Sequence, residues 1–324
     1  MIPKHTQAGA ALLSVLLIVA TLAVAATIAL ESVARQTEIQ KLTSRRMIAR
    51  WAERSAEAAV LSATGDLVAA SRAPANDPQA ERAISYTLPT EGGQIVLRIT
   101  ELAPCINLNA LGNPDQMVAE QHTFALTSLL TDAGVPIGEA HAMAAGAADW
   151  IDSDALPRPS GGEAPAYLSR EAGFRAADQP MLSAAELAVI PGFSAEARTF
   201  LQARTCALPD TGPAVINVNA LSPEDALVIR ALTLGQVSEN DIVRLASARP
   251  SAGWASVGDF QTQLAARPDL AVLLSQLKFS TSGRYFLAEG AAQLDTGSQR
   301  FRFLLDAEAP GGAGIVWRSL GGAG

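Results

Sequence analysis

The segment from Ala10 to Thr64 contains neither Gly nor Pro, and its first 21 residues, Ala10 to Leu30, carry no charge. No other feature of the chain limits its fold as strongly. With no helix breaker the segment predicts a single helix, about 80 Å long at about 1.5 Å per residue. Its uncharged part meets the roughly 20 residues a helix needs to cross a bilayer. A secretory signal has a shorter apolar stretch, about 7 to 15 residues, followed by a cleavage site and turn formers, whereas this pattern does not stop. It continues through Glu31-Ser-Val-Ala-Arg35 to Trp51-Ala-Glu53-Arg54, with Ile39, Leu42, Ile48, Trp51, Ala52, Ala59 and Val60 at mixed three- and four-residue steps. The expectation is one membrane span at 10–30 within a helix that runs from 10 to 72.

The remainder is long enough for a core of its own. Of 324 residues, 49% are hydrophobic and 17% charged, which excludes a disordered acidic tail. The net charge of -8 argues against a protein whose main work is neutralising phosphates. Two cysteines, Cys105 and Cys206, are too few for a disulfide scaffold, and neither lies in a CxxC pair, so a cysteine-rich zinc site is excluded. Lys4 precedes the span while Arg35, Lys41, Arg45 and Arg46 follow it, a distribution that by itself would place the large domain in the cytoplasm.

After the turn-rich Ala73-Pro-Ala-Asn-Asp-Pro78, the runs Ala83–Leu88 and Gln94–Thr100 alternate around a Gly-Gly turn and predict a β-hairpin. Near the C-terminus Arg284–Glu289, Arg300–Leu305 and Ile315–Arg318 predict three more strands. Residues 112–278 between them are helically patterned and Ala-rich. The expected class is α+β: a long N-terminal helix on a small antiparallel sheet built from 83–111 and 279–324, with an all-helical domain inserted at 112–278.

The insert contains an echo, Ile106-Asn-Leu-Asn-Ala-Leu111 and Ile216-Asn-Val-Asn-Ala-Leu221, which sets Asn residues before helices as caps. The second copy continues through Ser222-Pro-Glu-Asp225 into Leu227–Gly235 and Glu239–Arg244, which resembles a helix-hairpin-helix module. Such modules often bind DNA, but residues 214–278 hold five basic against six acidic residues. Phosphate binding is disfavoured there.

Site chemistry concentrates in Asp149-Trp-Ile-Asp152-Ser-Asp154-Ala-Leu-Pro-Arg-Pro-Ser-Gly-Gly-Glu163. Counted from Asp152, Asp154 is third and Glu163 twelfth, the spacing at which a calcium loop supplies carboxylates. Leu156 and Pro157 stand where an EF-hand needs an oxygen ligand and Gly, so the loop is not an EF-hand. Acids at a helix C-terminus are disfavoured by the macrodipole, and a bound cation would relieve them.

The leader Gln7-Ala8-Gly9-Ala10-Ala11-Leu12-Leu13-Ser14 resembles the processing site of type IV pilin-like precursors. The resemblance implies cleavage by a prepilin peptidase between Gly9 and Ala10, and methylation of the new terminus. Most such subunits carry Glu at the fifth mature position, where this chain has Ser14. A carboxylate inside the bilayer costs several kcal/mol unless paired, and in this superfamily its partner is taken to be the N-terminal amine of a neighbouring subunit. A subunit at a filament tip has no neighbour above it. Together with the Asp149–Asp154 run, Pro157-Arg-Pro159, Gly161-Gly-Glu163, Gln179-Pro-Met-Leu182, Glu186-Leu187 and Pro191-Gly-Phe193, this resembles the general secretion pathway protein K family, the minor pseudopilin of type II secretion.

That resemblance implies a tip subunit in the inner membrane with a periplasmic domain, partnered by minor pseudopilins I and J and needing no nucleic acid. It implies calcium held by Asp152, Asp154 and Glu163, with Asp149 and Asp178 as further candidates. In an oxidising periplasm Cys105 and Cys206 would bond if the two repeats packed together; two buried free thiols are the alternative. A loop of 102 residues would gain at most about 4 to 5 kcal/mol from such a bridge. The alternative function is a membrane-anchored helix-hairpin-helix module that captures DNA.

No enzyme is expected. His5 lies in the leader, His122 and His141 are isolated, and no HExxH, GxSxG, Walker or GxGxxG pattern occurs.

Overall fold

A computed structural model describes residues 6–74, 83–90, 92–168, 173–295 and 297–320. His5, residues 75–78 of the expected turn and Thr296 therefore lie outside the described residues, and only the backbone is described at Gly9 and Ala10. Helices α1 (Thr6–Ser62) and α2 (Thr64–Ser71) are separated by Ala63. The expected single helix is thus in two pieces, and it starts inside the expected leader. At the break Thr64 turns its hydroxyl onto the Leu61 carbonyl (2.8 Å), a local bond that competes with the helical ladder.

From Leu12 to Ser44 the helix is exposed throughout. Its first apolar stretch has a mean hydropathy of 2.6 over 18 residues and is long and apolar enough to cross a membrane. Further along, Ala52, Ala56, Val60, Ala63 and Leu67 recur on one face and are buried. Small residues at these positions let the helix approach the sheet closely.

Strands β1 (Ala83–Thr90) and β2 (Gly93–Glu101) form the expected hairpin. The chain then leaves for the inserted domain. This contains β3 (Ile106–Asn107), α3 (Gln116–Asp132), α4 (Ile137–Ile151), α5 (Ala164–Leu168), α6 (Ala195–Gln202), β4 (Thr205–Cys206), β5 (Val215–Asn217), α7 (Ala226–Leu232), α8 (Glu239–Ser247), α9 (Val257–Ala265), α10 (Pro268–Leu274) and β6 (Lys278–Ser280). It returns as β7 (Tyr285–Leu294), β8 (Gly297–Asp306) and β9 (Gly314–Leu320). The sheet is antiparallel in the order β1-β2-β7-β8-β9, so the insert departs and re-enters on neighbouring strands. Ile95, Leu97 and Ile99 of β2 and Phe301, Phe303 and Leu305 of β8 alternate onto the face covered by the helix. Gly290 sits between Leu97 and Phe301 in register, and a Cβ there would come within 2.8 Å of the Phe301 ring.

The insert is not all helical. Two parallel strand pairs, β3 with β4 and β5 with β6, stitch its loops together. Ile106, Leu108 and Leu111, expected with the sheet, are buried in the core of the insert, and so is Ile216. Phe279, expected at the start of the second β block, packs against that same core. The reason is pairing that sequence distance conceals: Ile106 lies opposite Thr205, and Ile216 opposite Phe279.

The two Asn repeats have one design. Asn107 accepts the Asn109 N–H (3.2 Å), and Asn217 accepts the Asn219 N–H (3.0 Å). Asn109 then accepts the Met181 N–H (2.7 Å) and donates to the Met181 carbonyl (3.0 Å). Asn219 does the same at Trp254, with 2.7 and 3.0 Å. Each buried amide thus pairs both backbone groups of a distant loop residue.

Cys105 and Cys206 form a disulfide, with Cα atoms 5.8 Å apart. The two repeats are not brought together by it. The bridge adjoins the β3–β4 pair, so it closes the first half of the insert on itself.

Candidate metal centre

Helix α4 delivers Asp149 in its last turn, and Asp152 is its C-cap residue. Asp149 is wholly buried. The chain turns back after Asp154 so that Arg158 faces both acids. Its backbone N–H donates to both Asp149 oxygens (3.1 and 3.3 Å), its Nη1 donates to Asp149 Oδ1 (2.8 Å), and Nη1 also pairs with Asp152 Oδ2. The loop continues through Ser160, at φ 66°, to Gly161. A Cβ at Gly161 would lie 2.0 Å from Asp149 Oδ2, so only Gly can pass so close to the buried carboxylate.

This path brings Asp152, Asp154 and Glu163 together, with one carboxylate oxygen from each within 4.8 Å of the others. Asp154 Oδ1 also accepts the Leu156 N–H (2.8 Å), which shapes the loop locally. Asp152 Oδ1 and Glu163 Oε1 are buried without a hydrogen-bond partner. Burial pushes the Glu163 carboxyl above its ordinary range, and the charges of Asp149, Asp152, Asp178 and Asp154 add to the shift. Burial also pushes Asp152 up, outweighing its bond to Arg158.

Two buried carboxylate oxygens with nothing to bind are an expensive arrangement unless a cation joins them. Ligand oxygens about 2.3 to 2.6 Å from a calcium ion can stand up to about 5 Å apart, so the spacing fits. The donor set is oxygen only, which suits a hard cation.

Asp149 is placed differently from the other candidates. Its oxygens are engaged by Arg158 and crowded by Gly161. Asp178, exposed and at φ 50°, lies outside the three-carboxylate cluster, and its N–H donates to the Trp150 carbonyl (3.1 Å). Arg158 is the site residue that sequence reading missed. The unfavourable acids at the end of α4 signalled that a positive charge was needed, and Arg158 between two prolines supplies it to Asp149. Behind the loop, Trp150 packs edge-on against Tyr167, with ring centroids 5.2 Å apart, and donates to Glu186 (3.2 Å).

The chain matches the family described as type II secretion system, protein K, over residues 104–210 and again over 216–280. It is 31% identical to type II secretion system protein K of Klebsiella pneumoniae over 282 residues, covering 83% of this chain and 86% of that one. The chain belongs to the type II secretion system protein K family. The protein of Pectobacterium carotovorum is 29% identical over 268 residues, covering 78% of this chain and 79% of that one. A solved structure, the GspK-GspI-GspJ complex from enterotoxigenic Escherichia coli, contains a similar chain at TM-score 0.70 and 26% identity, with 88% of this chain and 99% of that one covered. The chain is therefore a minor pseudopilin of the type II secretion system, and its family is a structural one.

The boundary between the two family matches falls between β4 and β5, so each match carries one Asn repeat. The helix-hairpin-helix expected in the second match is α7 and α8. Its Arg230 is paired with Asp132 and Glu239, and none of the comparisons points to DNA.

Proposed function

We propose that this minor pseudopilin sits at the tip of the pseudopilus and promotes its assembly with minor pseudopilins I and J. The observation that carries the reading is the likeness to a chain solved in complex with GspI and GspJ, which extends over 99% of that chain. Anchoring is by the single span at 10–30 in the inner membrane, with the folded part in the periplasm. The Cys105–Cys206 bridge supports this side of the membrane, since such bonds persist in oxidising compartments, and it outweighs the basic residues that follow the span. Prepilin peptidase cuts between Gly9 and Ala10, and the new terminus is methylated. Ser14 leaves the fifth mature position without a carboxylate, and the insert stands where a further subunit would stack. Calcium at Asp152, Asp154 and Glu163 holds the loop after α4, satisfying the buried Asp152 and Glu163 oxygens that have no hydrogen-bond partner.

The test is the intact mass of the membrane-extracted chain made with and without prepilin peptidase. Loss of residues 1–9 is the expected result. An uncut chain would leave a single-pass protein outside the filament.

A further inference from the structure

Asp149 is wholly buried in the last turn of α4, yet it is not one of the three carboxylates that converge. The loop takes its oxygens instead. The Arg158 N–H donates to Oδ1 and Oδ2 (3.3 and 3.1 Å), and Arg158 Nη1 donates to Oδ1 (2.8 Å). Gly161 passes so near that a Cβ would lie 2.0 Å from Oδ2. Both residues belong to one turn. The Gly161 N–H donates to the Arg158 carbonyl (2.8 Å), with Pro159 second and Ser160, at φ 66°, third, the arrangement of a type II turn. Pro157 and Pro159 each fix their own φ and hold the residue before them extended. The turn thus forms by local rules and is seated on a carboxylate that α4 holds still.

This seat lies between the candidate ligands along the chain. Asp152 and Asp154 precede it, and Glu163 follows, eleven positions after Asp152. Closing a loop of that length around an ion costs chain entropy, and a clamp near its middle removes part of the cost before the ion arrives. The clamp also reaches both ends of the site. Arg158 Nη1 pairs with Asp152 Oδ2, and the other oxygen, Oδ1, is the one left buried without a hydrogen-bond partner. Gly161 stands two residues before Glu163, whose Oε1 is buried in the same state.

We propose that Asp149 is the positioning residue of the cation site: by seating Arg158 and Gly161 it aims Asp152 Oδ1 and Glu163 Oε1 at the place where Asp154 joins them, and it binds no cation itself. The inference rests on the calcium reading above and adds what sets the affinity. Outer-shell partners of metal ligands typically carry about 10- to 100-fold in affinity. Charge alone predicts the opposite for Arg158, since removing a positive group beside carboxylates should tighten calcium binding. The sign of the effect separates the two.

Calcium titrated calorimetrically into the full-length chain in detergent provides the test, with near-ultraviolet circular dichroism to show that each variant is folded. Arg158→Gln should bind calcium about 10- to 100-fold more weakly than wild type, and Gly161→Ala, which changes no charge, at least about tenfold more weakly. Asp149→Asn/Arg158→Gln should lie within about fivefold of Arg158→Gln, because both changes cut one contact and their effects do not add. A merely structural role would lower the melting temperature in chelator and leave the affinity of the folded chain unchanged. Unchanged or tighter binding by Arg158→Gln would overturn the proposal while leaving the calcium reading in place. A further loss in the double variant beyond fivefold would overturn it too, by making Asp149 a ligand. Wild type that takes up no calcium would remove the calcium reading and this inference with it. Should Arg158→Gln fail to fold, Gly161→Ala decides, and an affinity equal to wild type would sink the idea.

Discussion

Asp152 and Glu163 each hold a buried oxygen with no hydrogen-bond partner, and from this the stability of the loop after α4 should depend on both metal and pH. In the metal-free protein burial raises both carboxyls above their ordinary values of 3.8 and 4.5. Over that interval the folded chain binds more protons than the unfolded one. The contribution of these groups to stability is therefore greatest in acid and falls as pH rises from about 4 towards neutrality. Calcium should reverse this by taking the place of the protons. Melting followed in chelator should thus show a smaller contribution from this site at pH 7 than at about pH 4, and saturating calcium should remove the difference. At about 100 times its dissociation constant the ion should add about 2.7 kcal/mol, and Asp152→Ala/Asp154→Ala should abolish the gain. Arg158 acts on the same loop with the opposite sign of charge. Arg158→Met removes the counter-ion of the buried Asp149, which keeps only the backbone N–H of residue 158, and should lower stability by up to about 3 to 5 kcal/mol as read by denaturant unfolding.

At the level of elements, the insert is held less by its helices than by what joins them. Asn109→Ala would strand the N–H and carbonyl of Met181, at about 1 to 3 kcal/mol for each buried group left unpaired. Asn219→Ala should produce a comparable loss through Trp254, and urea midpoints of the two variants provide the comparison. The Cys105–Cys206 bridge ties β3 to β4 across 101 positions of sequence. Cys105→Ala/Cys206→Ala should cost about 2 to 5 kcal/mol, and reductant should shift the wild-type melt to that of the variant. Helix α1 has a different logic, since half of it finds no partner within the chain.

Over the whole molecule, the insert is keyed to the pilin-like body by a few polar contacts. Asn217 donates to the Ser71 carbonyl and to Glu101, both at 2.9 Å, and Arg284 joins Asp306 of β8 (2.9 Å) to Asp210 of the insert (2.8 Å). Asn217→Ala combined with Arg284→Ala should split one calorimetric transition into two, because it cuts contacts between the bodies and spares both cores. How much of this was legible follows from the range of each interaction. The long apolar helix, the hairpin and the last three strands are written in local patterns of a few residues, so the sequence alone determined them, as it did the family through Ser14 and the Asp149–Glu163 run. Tertiary structure decided the rest. Ile106 joined the insert because it meets Thr205, the cysteines met within one half rather than between the repeats, and Arg158 claimed Asp149. Pairing partners about 100 positions apart leave no local pattern, and a charge shows its counter-ion only once the chain has turned back on itself.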